Sequence, residues 1–476
     1  MEADEWKFRG EGNAFLVLTN TRDGMVYRFA KTKHWRKGLL SKCNKNEKNE
    51  VIHEEMKLVV DYMKNVMRPL LGCAFVELPV LKDIAGGLPF SESEIKGFRP
   101  AQRKGQHVKP CTIHPATLSA LVMPDLCFVR GGPAFTSPTI SVEIKPKKAF
   151  MHVHSTDTPE EKSLVCKFCM HQRLKAKTKQ WSETSKYCPL DLFSGNRRRM
   201  KQALIALAHT PQNNLRICQD GEEVHGACRD GFQGGELCCV LQEALGVTSP
   251  VLRHNGYSKS DMLVQVFLDL ILETLLYVPD QPDVTRSQAW SPRPANVQSC
   301  QNSLSQSESF KQDEVYSIPE GCVLERILSI QSRDRLDIDG IYPIYTDLVN
   351  QFKQSPGSSI TSNLDGPYDQ GDWLAAMSQD GCDLIIEQEN PVNKVKQFFV
   401  SKTVQDCSIM VALQKVPASC NEKEVGPCVT LDGGQRVRFS VTVVDLDPKP
   451  FCKIETYHNQ DEEIVNEYRE TSRDVQ

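Results

Sequence analysis

The longest apolar window in the chain, MLVQVFLDLILETLLYV at 262–278, carries two acids, Asp269 and Glu273. Crossing the hydrocarbon core of a bilayer takes about 20 apolar residues, and carboxylates inside it are costly. The window is therefore expected to form an amphipathic helix packed in a protein interior, with the two acids on its wet side. The N-terminus, MEADEWKFRGEG, is acidic and has no apolar run, so no signal peptide is read there and no segment is expected to cross a membrane. With 476 residues, 40% hydrophobic and 25% charged, the chain can bury a sizeable core in two or three domains. Eighteen cysteines without a targeting segment predict reduced thiols in cytosol or nucleus, and a soluble monomer is expected.

The pattern mixes helix and strand. EWKF (5–8) and AFLVLTNT (14–21) flank RGEGN, and MVYRFA (25–30) follows the turn TRDG, which predicts hairpins. IHEEMKLVVDYMKNVMRPLL (52–71) has helical apolar spacing and a stop near Pro69. Residues 164–176 and 197–208 also read as helices. TISVEIKPK (139–147), QDCSIMVALQK (405–415) and QRVRFSVTVVDLDPK (435–449) read as strands. From 279 to 318 Pro, Ser and Gln dominate, and no core can form, so a surface insertion or disordered loop is predicted.

Charge is unevenly spread. Residues 141–201 hold 14 Lys and Arg against 6 Asp and Glu, within a chain of formal net charge −4. Such an excess suits a polyanionic ligand, although a solvated helix face is the commoner meaning of a basic run. Lys145 and Lys147, two apart on a predicted strand, would leave one face. His171 and Lys175, four apart on a predicted helix, would share another. Aromatic residues are only 7%, and none interleaves the basic run, which argues against nucleic acid. Asp445 and Asp447 sit at the end of one predicted strand, and Asp406 opens another. Carboxylates at strand ends suit Mg²⁺, though singly they more often cap backbone N–H groups. A basic cradle with such acids fits phosphoryl transfer.

Eight blocks carry a more specific signal: RGEGN (9–13), VEIKPK (142–147), CMHQRLK (169–175), YCPLDLFSGN (187–196), PQNNLRI (211–217), DGPYD (365–369), DCSIM (406–410) and DLDPKP (445–450). In their order and spread the chain resembles the inositol-pentakisphosphate 2-kinase family nearly end to end. The resemblance implies a two-lobed, kinase-like α/β (α+β) fold. Residues 1–140 would form the smaller, nucleotide-binding lobe and 141–476 the larger lobe with the inositol phosphate site. It also implies a reaction: ATP-dependent phosphorylation of the 2-hydroxyl of inositol 1,3,4,5,6-pentakisphosphate, with Mg²⁺, giving inositol hexakisphosphate. By the same resemblance, Gly10, Glu11, Gly12 and Asn13 form a short loop over the ATP phosphates. Arg28, Asp125 and Lys145 are further ATP contacts. Arg103, Lys147, His171, Lys175, Asn213, Asn214, Arg216, Lys449, Lys453 and Tyr457 are substrate contacts. Asp406 resembles the catalytic base, Asp445 the Mg²⁺ ligand, and Asp406 is a second candidate for that ion. After EIKPK the family usually has cysteine and glycine, whereas this chain has Lys148 and Ala149.

Five phosphates at about −1.5 to −2 each demand at least half a dozen cationic contacts. A passive binding module for inositol phosphates is the alternative, as is a kinase for less phosphorylated inositols. A passive binder has no use for Asp406 and Asp445 beside a polyanion. Separately, Cys166 and Cys169 form a C-x₂-C pair with Cys188 downstream, a spacing that suits one edge of a structural zinc site. His154 is the expected fourth ligand and His152 its substitute; buried unliganded thiols are the other reading.

Overall fold

Apolar alternation in the first thirty residues resolves into three antiparallel strands, β1 (Trp6–Glu11), β2 (Phe15–Asn20) and β3 (Met25–Ala30). The computed structural model describes residues 5–31, 45–84, 88, 90–99, 113, 118–152, 159–226, 234–247, 259–279, 317–354, 364–368, 373–374, 390–420, 425–431 and 433–473. Two compact units divide the chain: Met1–Lys64 with Glu77–Leu126, and Asn65–Val76 with Cys127–Gln476.

In the first unit, β4 (Val80–Asp83) and β5 (Ser119–Pro124) complete a sheet of order β1-β2-β3-β5-β4. Trp6, Leu16, Leu18, Phe29, Phe90 and Val122 form its core. Trp6 meets Phe90 edge to face at 5.4 Å, a geometry that adds ring electrostatics to apolar burial. The register of β1 slips between Phe8 and Gly10, a bulge that twists the strand as it enters its turn. Helix α1 (Lys45–Tyr62) packs on β4 and β5. Helix α2 (Glu92–Gly97) starts with a capping box in which Ser91 and Glu94 satisfy each other's backbone N–H.

The helix predicted over 52–71 differs from expectation at both ends. It begins at Lys45, and a π turn, Met63–Met67, interrupts it before Pro69. Pro69 lies in the first turn of a new segment, Arg68–Leu71, where its missing N–H costs nothing.

Among the described residues, the second unit holds six antiparallel strands: β6 (Thr139–Ile144), β7 (Leu215–Gln219), β8 (Glu222–His225), β9 (Ser408–Lys415), β10 (Cys428–Thr430) and β11 (Arg436–Val444), in the order β10-β11-β9-β6-β7-β8. β9 is buried along nearly its whole length, as its continuous apolar run requires. Its principal described helices are α3 (Lys167–Lys177), α4 (Arg197–His209), α5 (Gly234–Leu245), α6 (Lys259–Leu276), α7 (Val323–Gln331), α8 (Asp337–Gln354), α9 (Pro391–Gln405) and α10 (Lys453–Arg473). α10 packs on α3 and α8, and α9 on α7 and α8. Phe398, Phe399, Ile338, Ile341 and Ile454 seal that junction.

The segment read as one helix over 164–176 is a turn, Glu161–Leu164, followed by α3. α6 is the amphipathic helix expected, with Asp269 paired to Lys201 at 2.8 Å and Glu273 paired to Arg197. No described helix is long and apolar enough to cross a membrane. Of the predicted 279–318 insertion, residues 280–316 lie outside the described residues. The fold class is mixed α and β, with two antiparallel sheets.

Candidate active site

The register of the second sheet brings four chain segments to one edge. Ile144, the last residue of β6, pairs with both Leu215 and Ile409, and Val444, the last of β11, pairs with Ser408. Residues leaving β6 and β11, and residues entering β7 and β9, therefore emerge together. All three strands that the sequence placed here are shorter than predicted. Lys145 and Lys147 lie beyond β6, so they do not share a strand face; Lys147 has φ 65°. Asp406 caps the C-terminus of α9 rather than opening β9. Asp445 and Asp447 follow β11, and Asp445 has φ 62°.

Lys145 Nζ lies 3.0 Å from Asp445 Oδ2 and 3.7 Å from Glu143. Ser408 Oγ lies 2.9 Å from Glu143 and 3.1 Å from Asp445 and shares its one hydrogen between the two acids. Arg216 reaches Glu143 at 2.7 Å from β7. Burial disfavours the charged form of Lys145, and the Asp445 and Glu143 carboxylates outweigh it and hold its pKa above the ordinary value. Glu143 is raised by burial but pulled below the usual carboxylate range by Arg216 and Lys145.

Lys147 is different. Burial dominates, its neighbours Lys145 and Lys175 add to the effect, and its pKa falls to about 8 against a pull from Asp406. His171 and Lys175 share a face of α3, as predicted. Burial, with Lys175, Lys167 and Lys147 nearby, drives His171 down to about 3, so the imidazole is neutral. Lys175 is lowered by burial. Lys147 and Lys175 crowd positive charge together, and Asp406 is the acid that acts on both.

Lys449 Nζ lies 3.4 Å from Asp406 Oδ2. The surrounding protein raises Asp406, whose side chain is 58% exposed, but Lys449, Lys147 and Lys402 prevail and hold it below the usual carboxylate range. Tyr457, on α10, is pushed up to about 12 by burial. Lys453 opens α10, its side chain half-buried. Asn214 is buried, and its carbonyl accepts from Lys145 N at 2.9 Å, while Asn213 is exposed. Arg103 lies outside the described residues.

Sequence reasoning missed four residues here: Glu143, Ser408, Lys402 and Gln331. Glu143 and Ser408 stand inside the quoted blocks, where register alone relates them. Lys402 sits in the last turn of α9, 6% exposed, donating to Gln405 at 3.1 Å above the rings of Phe398 and Tyr457. Burial lowers it to about 8. Behind it lies a buried network in which Asp337 meets Lys148 at 3.1 Å and Lys162 at 3.2 Å, and Asp461 meets Lys162 and Lys167. His152 belongs to this network, 3.6 Å from Asp337 and 3.9 Å from Asp334. Among the described residues, four acids (Asp334, Asp337, Asp339, Asp461) and four lysines (Lys148, Lys162, Lys167, Lys402) make up this network.

In the first unit, Gly10 and Glu11 end β1, and Gly12 and Asn13 make the turn. Gly12 N donates to Phe15 O at 3.0 Å, and Lys31 Nζ donates to Gly12 O at 2.8 Å. A Cβ at Gly10 or Gly12 would meet no atom within 4 Å, so space lies open against this backbone. The Glu11 carboxylate is clasped by Lys31 at 2.9 Å and Arg99 at 2.9 Å, which makes it a strut of the turn. Asp125 accepts from Arg9 at 2.7 Å and Thr19 at 3.0 Å, bracing the sheet. The Arg28 guanidinium stacks on Phe15 at 4.4 Å.

Cys166, Cys169 and Cys188 are buried with all three Sγ atoms within 4.8 Å, and Cys166 and Cys188 are 3.8 Å apart. His154 lies outside the described residues, and His152, its substitute, is engaged elsewhere, beside Asp334 and Asp337. The donor that the sequence ranked second is thus withdrawn.

Residues 8–463 match the family described as inositol-pentakisphosphate 2-kinase. A Danio rerio protein named inositol-pentakisphosphate 2-kinase is 30% identical over 98% of this chain and 94% of its own length. An Arabidopsis thaliana protein of the same name is 29% identical over 98% and 94%. A Drosophila melanogaster protein of that name is 39% identical, over 20% of this chain and 15% of its own. The eight sequence blocks, the family match and relatives aligned along nearly the whole length agree: the chain belongs to the inositol-pentakisphosphate 2-kinase family.

Proposed function

We propose that the protein transfers the terminal phosphoryl group of ATP to the 2-hydroxyl of inositol 1,3,4,5,6-pentakisphosphate, releasing ADP and inositol hexakisphosphate. The observation that carries this reading is the single sheet edge where Lys145, Lys147, Lys449 and Arg216 stand among Asp406 and Asp445. The bond from the β,γ-bridging oxygen to the γ-phosphorus breaks, a bond from the ring oxygen forms, and the hydroxyl proton passes to Asp406. Asp406 suits that task because nearby lysines keep it ionised. Lys147, His171, Lys175, Asn213, Asn214, Arg216, Lys449, Lys453 and Tyr457 bind and orient the ring phosphates, with Arg103 as a further contact.

Lys145 and Arg28, with the open backbone of Gly10 to Asn13, hold ATP. Glu11 and Asp125 support that role through their ion pairs rather than by direct contact. Asp445, a half-exposed carboxylate with Ser408 beside it, offers hard oxygen atoms suited to Mg²⁺, and Asp406 is a second candidate. When bound, the ion neutralises charge on the transferring phosphates. The family's two-lobed, kinase-like arrangement is proposed for this chain, with 1–140 as the smaller lobe and 141–476 as the larger.

Zinc is proposed as a structural clip only. Tetrahedral Zn–S bonds of about 2.3 Å place sulfurs about 3.8 Å apart, which is the Cys166–Cys188 separation. Metal analysis of protein purified without chelator tests this, and an absence of zinc ends it. Among the described residues no cysteine is joined in a disulfide, and a reducing compartment, cytosol or nucleus, is proposed for the chain.

The decisive experiment is an ATP assay across inositol phosphates, with NMR identification of the modified carbon. Asp406→Asn is expected to bind the pentakisphosphate while turnover falls by about 10²–10⁴. Unchanged turnover would remove the proposed base.

A further inference from the structure

Lys147 adopts a left-handed backbone conformation, φ 65°, that a residue with a Cβ reaches only when its surroundings impose it. The surroundings do so group by group. Lys145 N donates to Asn214 O at 2.9 Å, and Tyr187 Oη donates to Pro146 O at 2.8 Å. The remaining two fastenings come from one side chain, Gln331, the fully buried last residue of α7. Its Nε2 donates to Lys147 O at 2.8 Å, and its Oε1 accepts from Ala149 N at 2.8 Å. The amide therefore pairs with this stretch of backbone as a neighbouring strand would.

The same amide reaches the acid. Gln331 Nε2 also donates to Val404 O at 3.3 Å, near the end of α9, the helix that Asp406 caps. Ser401, one turn earlier, donates to Gln331 O, and Gln405 Nε2 donates to Ser401 Oγ at 2.9 Å. Both hydrogens of one side chain are thus spent on two carbonyls, one in the Lys147 segment and one in the Asp406 helix. No other residue type of this length supplies two donors and an acceptor.

We propose that Gln331 is a positioning residue that sets the spacing between Lys147 and Asp406, by fastening the Lys147 peptide and the end of α9 to a single buried amide. The proposal rests on the reading above, in which Lys147 holds a substrate phosphate and Asp406 takes the hydroxyl proton. A misplacement of about 1 Å between such groups costs up to 10²-fold in rate.

The test compares full-length Gln331→Met, Gln331→Glu, Lys147→Ala and the double variant Lys147→Ala/Gln331→Met by steady-state kinetics with ATP and inositol pentakisphosphate, normalised to folded protein. Gln331→Met is expected to raise KM for the pentakisphosphate and lower kcat, each about tenfold. In the Lys147→Ala background the same change should add less than about twofold, because both act on one relationship. Gln331→Glu carries its own signature. The buried acid donates one hydrogen bond when protonated and none when ionised, so this variant should lose activity as pH rises towards 8, a range in which native Lys147 stays charged. A merely structural glutamine would lower thermal stability, leave kcat and KM per folded molecule unchanged, and act additively with Lys147→Ala. Native kinetics for Gln331→Met beside a crippled Lys147→Ala would overturn this proposal alone. Native kinetics for Lys147→Ala would overturn the site reading with it.

Discussion

Lys145 Nζ and Asp445 Oδ2 meet at 3.0 Å although their strands, β6 and β11, are separated in the sheet by β9. The pair crosses the end of β9, where Ser408 Oγ donates to the same carboxylate oxygen at 3.1 Å. A cation binding Asp445 must share that oxygen with Lys145 or take the other one. With Asp445 as the proposed magnesium ligand, Asp445→Asn removes the charge but keeps the shape. The Mg²⁺ concentration for half-maximal activity should rise about 10–100-fold, with kcat reduced even at saturation. A magnesium titration that superimposes on the native curve would rule Asp445 out as a ligand.

Lys147 predicts a pH dependence of substrate binding. Its pKa in the free protein is about 8, lowered first by burial and then by Lys145 and Lys175. A polyanion beside it favours the charged form, so the pKa must rise in the complex and binding must take up protons. Below pH 8 the lysine is already charged, and affinity is insensitive to its titration. Above pH 8 the free protein loses the charge that the complex keeps, and affinity for the pentakisphosphate should fall by up to about tenfold per pH unit. Calorimetry in buffers of different ionisation enthalpy measures the protons directly. Zero uptake at pH 9, with the native affinity kept, would contradict the assignment.

How much of this was legible in the sequence depends on the reach of the interaction. The pairing of His171 with Lys175 on one helical face follows from a four-residue spacing, and the wet face of α6 from Asp269 and Glu273. Those are local, and periodicity captures them. The strand ends that face the site were misplaced by three to five residues because apolar alternation runs on through Pro146 and Leu446 after pairing has stopped. That error mattered. It put Lys145 and Lys147 on a strand face, when Lys147 in fact turns left-handed under the grip of Gln331. Gln331 is 184 residues from its Lys147 partner, and nothing in the surrounding VLERILSIQ distinguishes it from an ordinary last-turn glutamine. Glu143 reads as the wet side of a half-buried strand, and only the register with Arg216 shows it facing cations.

Glu143 joins the two halves of the site and therefore predicts a double effect. It holds Arg216 at 2.7 Å, a proposed substrate contact, and lies 3.7 Å from Lys145, a proposed ATP contact. Glu143→Gln leaves both cations without their shared anion while Ser408 keeps a hydrogen-bond acceptor. Because these side chains are partly solvated, the expected loss of stability is only roughly 1–3 kcal/mol. KM should rise for ATP and for the pentakisphosphate together. A change confined to one substrate would mean that Glu143 serves only one of its partners.

Lys402 carries the opposite stability sign from an ordinary ion pair. Burial lowers its pKa from 10.5 to about 8, so the folded protein penalises the charged form that the unfolded chain keeps up to about pH 10. That depression corresponds to about 3 kcal/mol of lost stability, fully present below pH 8 and relieved as pH rises from 8 towards 10.5. Lys402→Met removes the penalty but strands Gln405 Oε1, which costs about 1–3 kcal/mol, so the net gain at pH 7 is small. The pH dependence is the sharper readout. Relative to the native protein, the variant should be at its most stable near pH 7 and should lose that advantage steadily between pH 8 and 10, measured by urea unfolding. Since Lys402 is also one of the three lysines that keep Asp406 ionised, activity should fall while stability does not. Such a split is expected where a buried charge is retained for chemistry rather than for folding. A stability difference that stays constant from pH 7 to 10 would show that Lys402 is not held in the depressed state on which this argument depends.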